Sequence, residues 1–199
     1  MSKRRLTHRE QLRKMMKEAE PNSVLSAELE VVRISIEKSK CQAITELIRL
    51  LKTSTQQDTK WFIARVLGTA KDERVIKPLM RAAEAIENDN YSSNFLWPLE
   101  KYDCTEYLNF FVRFIMQCDD PGESMLACSY VIAAMQGPFK SDTVKKNIKR
   151  LLVEKQLLIQ PDMELQAEHF RMSTADFLMS KYFLQVAREY HGKNGTKEG

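Results

Sequence analysis

The chain has 199 residues, 43% of them hydrophobic and 29% charged, with a net charge of +4. That balance is globular, no apolar run approaches the ~18 residues of a membrane span, and the basic start lacks the apolar segment of a secretory signal, so a cytoplasmic protein that avoids membranes is expected. Four cysteines (Cys41, Cys104, Cys118, Cys128) read as buried free thiols, and three histidines (His8, His169, His191) lie far from them, so neither a metal nor a cofactor nor a catalytic constellation is expected.

Residues 1–18 hold seven Lys/Arg against two Glu, a balance of +5. The spacing predicts a basic helix over 7–19. Lys3, Arg4, Arg5, Arg9 and Arg13 are of the right kind to contact nucleic acid or an acidic partner, while a solvated terminal helix is the plainer reading. Over 23–38, Leu25, Leu29, Val32 and Ile36 recur at helical spacing and outweigh the short alternation of Val32, Ile34 and Ile36. Residues 1–39 thus form a basic helix and a capping helix. Further helices are predicted at 40–53, 58–69, 72–87, 91–102, 104–118, 121–136 and 141–154, with two more at 162–170 and 173–190.

Local signals mark several ends. Gly68 is suited to the left-handed conformation that closes a helix, Asp120 before Pro121 offers a cap, and Gly137-Pro138 forbids continuation. Ser173 and Asp176 have capping-box spacing. The polar, glycine-rich 192–199 is expected to be disordered. No spacing of Gly68, Gly122 and Gly137 makes a phosphate-cradling loop.

A repeat runs through the middle of the chain. Ile44, Leu47, Ile48 and Leu51 return 32 residues later as Ile76, Leu79, Met80 and Ala83, and again as Leu108, Phe111, Val112 and Ile115. Partner helices follow the same offset, Ile63, Ala64 and Leu67 matching Phe95, Leu96 and Leu99. The unit is a helix pair, and pairs that cannot bury their apolar faces alone must stack. The expectation is an all-α chain, an α-solenoid of stacked antiparallel helix pairs, in one domain with the pairs over 40–154 and C-terminal helices over 155–191.

The stretch DTKWFIARVLGTAKDERVIKPLM, residues 58–80, resembles the short HEAT-like repeats of the lyase-type group. Asp58, Lys60, Ala64, Leu67, Gly68, Asp72, Ile76, Pro78, Leu79 and Met80 match its pattern, with Lys60 where that family usually carries Arg and Ile63 where it has a second Ala. The likeness is good over 40–118 and loose over 119–154. It implies a superhelix whose second helices line a concave face. On that face Arg65, Trp97 and Ile132 would share one position, with Trp61 a turn earlier and Asn94 and Lys101 flanking.

An aromatic and basic row of Trp61, Arg65, Trp97 and Ile132 has the composition of a binding hot spot. The competing reading packs both tryptophans between helices. Residues 84–123 hold nine acids against two bases, a balance of −7, which would steer a basic partner and argues against the basic groove of base-acting HEAT-like enzymes. The leading expectation is a non-catalytic adaptor or complex subunit that binds another protein, possessing a rigid scaffold and no enzyme activity. The runner-up is a nucleic-acid-binding subunit using the N-terminal cations together with Lys145, Lys149 and Arg150, and a HEAT-like lyase or glycosylase comes third.

Overall fold

The computed structural model describes residues 40–118, 122–153 and 163–194. The helices predicted at 7–19 and 23–38 and the Asp120-Pro121 cap fall outside them. Among the described residues there are eight α-helices and no strand. The chain divides into two compact units, the first ending at Lys101 and the second beginning at Tyr102.

In the first unit, α1 (Lys40–Thr53) and α2 (Gln57–Leu67) pack against each other, and a 3-10 turn leads into α3 (Ile76–Ala83). Each is amphipathic, so burial follows the period of the sequence: Ile44, Leu47, Ile63, Ala64, Leu67 and Leu79 lie inside. Asp72 accepts the Arg74 backbone N–H at 3.1 Å and so starts that turn. The predicted helices 72–87 and 91–102 do not persist. After α3 the chain runs as a 3-10 segment (Ile86–Tyr91), one α-helical turn, α4 (Ser93–Leu96), and a second 3-10 segment (Trp97–Lys101). Pro98 carries no N–H and obstructs an α-turn at that point, so the helix tightens instead of continuing. Buried Asn88 holds this irregular chain in place by donating to the Ala82 carbonyl at 2.8 Å and accepting from Gln57 at 2.9 Å.

Gly68 is a second departure. It does not adopt the left-handed conformation expected of it, having φ −58° and ψ −18°. A Cβ there would stand 2.8 Å from Pro98 Cβ and 3.2 Å from Pro98 Cα. Glycine is needed at this position for close approach and not for its freedom of φ.

The second unit contains α5 (Leu108–Gln117), α6 (Glu123–Ala134), α7 (Ser141–Val153) and α8 (Glu164–Asn194). α8 packs against both α6 and α7. The helices predicted at 162–170 and 173–190 are this one 31-residue helix. Ser173 does not cap it. Instead the neighbouring Thr174 donates to the Phe170 carbonyl one turn back at 2.7 Å, satisfying its hydroxyl inside a continuous helix. Thr174 also meets Ser129 of α6, the two buried hydroxyl oxygens lying 2.6 Å apart. Cys104 and Cys128 are buried free thiols, and burial pushes Cys104 up to about 12 with the Asp103 carboxylate adding to the shift, so neither offers a thiolate at neutral pH.

One hydrogen-bonded cluster fastens the loop after α6. Asp103 accepts from the Thr105 backbone N–H at 3.1 Å, from the Thr105 hydroxyl and from the Gln136 N–H at 3.2 Å, while Thr105 accepts from the Gly137 N–H at 3.0 Å. From α8, Lys181 donates to the Met135 carbonyl at 2.8 Å, and the Gln185 amide accepts from Phe139 N–H at 2.6 Å while donating to Phe139 O at 3.2 Å. Partial burial works to raise the Asp103 pKa, but the hydrogen bonds from Thr105 and Gln136, aided by Lys181, prevail and hold it below its usual value. A depressed carboxylate stabilises the fold above its unfolded pKa of ~3.9, and that contribution is lost as pH falls through the lower folded value. Asp103→Ala should therefore cost about 1 kcal/mol near neutrality. Its acid-side loss of stability should also be shallower than that of the parent in urea titrations at successive pH values; identical acid limbs would show that Asp103 fastens nothing.

Candidate functional site

The residues singled out for binding stand mostly on the first unit. α2 lies beside α4 and the 3-10 segment that follows it, and the contact of Gly68 with Pro98 sets how closely they approach. α2 turns Ile63, Ala64 and Leu67 inward, which leaves Arg65 exposed and Trp61 half-buried one turn earlier. The Arg65 guanidinium sits over the Phe62 ring, 5.7 Å from its centroid. On the neighbouring segment Asn94 and Lys101 are exposed and Trp97 is half-buried, while Phe95, Leu96 and Leu99 are fully buried.

The two elements therefore carry Trp61 with Arg65 and Asn94 with Trp97 and Lys101 within one unit. The direct aromatic contact is a different one. Trp61 meets Tyr91 at 4.8 Å between ring centroids, with the planes tilted by 53°. Tyr91 is 44% exposed, and the indole Nε1 of Trp61 is buried without a hydrogen-bond partner. Sequence periodicity had placed Tyr91 on one core stripe with Phe95 and Leu99. The 3-10 segment ending at Tyr91 breaks that stripe and turns the phenol outward. The polar run Glu87-Asn88-Asp89-Asn90 before it was the available sign that no α-helix continues there.

Ile132 does not belong to this face. It lies in the second unit on α6, a helix apolar nearly all round, where Met125, Ala127, Cys128, Val131 and Ile132 are all fully buried. The repeat offset aligns it with Trp97, but with so little polar surface on α6 the position serves as core. Of the cations held for nucleic acid, Lys3, Arg4, Arg5, Arg9 and Arg13 lie outside the described residues. Lys145 and Lys149 are exposed on α7 and Arg150 is partly covered.

Behind the face, a cavity of about 220 Å³ opens between α1, α3 and the first 3-10 segment, lined by Ile48, Leu51, Lys52, Lys60, Arg81 and Glu87 among others. Lys60 is buried, and its ammonium donates to the exposed Glu87 carboxylate at 3.3 Å. The hydrogen bond from the Glu87 backbone N–H, then the bond and charge of Lys60, hold Glu87 below the usual carboxylate value. Among the described residues no group of three His, Cys, Asp or Glu is placed to hold a metal ion, and no helix is long and apolar enough to cross a membrane. No family model, curated protein or solved structure matches the chain.

Proposed function

We propose that this chain is a non-catalytic protein-binding module, a small α-solenoid of stacked helix pairs that takes a partner protein on the face shared by α2 and residues 91–101. The observation that carries this reading is the Trp61–Tyr91 pair, two large rings 4.8 Å apart with the tyrosine 44% exposed, set beside the exposed Arg65. Trp, Tyr and Arg are the residues that dominate binding energy at interfaces, and rings held on helices lose little freedom when covered. The solenoid is supported by the 32-residue spacing, whose equivalent positions Leu47, Leu79 and Phe111 are all buried, together with the HEAT-like pattern of 58–80. Exposed Glu84, Glu87 and Glu100 favour a basic partner. Buried free thiols suit the reducing cytoplasm.

Arg65→Glu and Tyr91→Ala test the face, because both side chains are exposed and contribute little to the core. Each should weaken capture of the partner from host lysate by tenfold or more while leaving the melting midpoint close to that of the parent. Unchanged capture by both variants would overturn the assignment, and capture that depends on nucleic acid and collapses with salt would favour the other reading.

A further inference from the structure

α8 is amphipathic in an unusual sense, being apolar on a side that nothing covers. Ala167, Thr174, Ala175 and Leu178 face inward with no exposure. Leu165, Met172, Met179, Phe183, Val186 and Tyr190 form a second stripe within roughly 60° of arc, about a third of a turn away. All six are exposed, Leu165 at 79%, Phe183 at 72% and Tyr190 at 66%. Their spacing of seven, seven, four, three and four residues is that of a helix–helix seam. The stripe runs for about 38 Å at 1.5 Å per residue, and a contiguous apolar surface of that length marks an interaction site.

Charge along the helix says what covers it. Residues 164–178 carry three acids, Glu164, Glu168 and Asp176, against one base, Arg171, a balance of −2; residues 179–194 carry three bases, Lys181, Arg188 and Lys193, against one acid, Glu189, a balance of +2. A second α8 laid antiparallel sets each acidic half beside a basic half, and one laid parallel sets like beside like. Burying six large side chains from each copy removes on the order of 1,000 Å² from water, the scale specific association needs. We propose that this stripe is the interface of an antiparallel two-fold homodimer, with Met179 near the axis and Met172 of one copy beside Val186 of the other. The proposal is independent of the face on the first unit.

Light scattering of the full chain at tens of micromolar should give twice the monomer mass. Met179→Glu, which brings two like charges together at the axis, and Phe183→Glu should each give the monomer mass with unchanged helical circular dichroism. A mixture of Met172→Cys and Val186→Cys chains should form a disulfide between the two variants, whereas neither alone should link through its new cysteine. A monomeric parent would overturn the homodimer and leave the stripe to a different protein. A dimer that survives Met179→Glu, or Met172→Cys linking to itself, would overturn the interface or its direction.

Discussion

Phe95→Ala should lower the stability of the chain by ~3–5 kcal/mol, because its ring is fully buried and the space it leaves cannot close. Trp97→Ala, two residues on, should behave differently. Trp97 is half-buried at the start of a 3-10 segment whose neighbours Leu96, Pro98 and Leu99 are buried, so truncation removes less packing. If the face takes a partner, the larger loss appears in affinity, at about 2 kcal/mol or more. Urea midpoints and partner affinities of the two variants, measured side by side, separate the roles. Equal falls in midpoint would make Trp97 a packing residue and remove it from the face.

Gly68→Ala should be destabilising by ~1–3 kcal/mol, although alanine is ordinarily the better residue at right-handed helical angles by ~0.4–1 kcal/mol. The reason is the 2.8 Å separation between the added Cβ and Pro98 Cβ, a ring atom that cannot rotate aside. Pro98→Gly removes that atom and leaves Pro98 Cα at 3.2 Å, so the double variant should recover part of the loss. A double-mutant cycle with a coupling near zero, or a Gly68→Ala variant more stable than the parent, would refute the close approach.

These two positions also show what the sequence disclosed. The helix predicted at 40–53 is α1, Lys40–Thr53, and that predicted at 141–154 is α7, Ser141–Val153, because each presents one uninterrupted apolar stripe. The stretch 91–102 misled for a physical reason. Tyr91, Phe95 and Leu99 keep a helical spacing, but counting residues cannot distinguish an α-turn from a 3-10 turn over so short a run, and the proline decides the matter locally. Gly68 was recognisable as a special position, yet its purpose depends on Pro98, thirty residues away, which periodicity does not reach. The capping-box spacing of Ser173 and Asp176 was real but fell inside α8, where Thr174 bonds back to Phe170 and the helix runs through.

Of the binding residues, Arg65, Asn94 and Lys101 could be placed at the surface from their chemistry, and all three are exposed. The tryptophans could not, since an indole serves equally in a core or a groove. Tyr91 was missed because its outward turn depends on the break before Ser93. Ile132 was wrongly set on the face because the repeat offset preserves helix register without regard to how apolar the whole helix is.

The hydroxyl pair of Ser129 and Thr174 has a consequence for alignment. α6 and α8 meet largely through small and aliphatic side chains, which would tolerate sliding along the helix axis by a turn. Such a slip of ~5.4 Å would strand two buried hydroxyls that now lie 2.6 Å apart, each then left with only its own helix carbonyl. The pair acts as an indexing pin, selecting a single axial position for a 31-residue helix that its apolar contacts alone would hold only loosely in place.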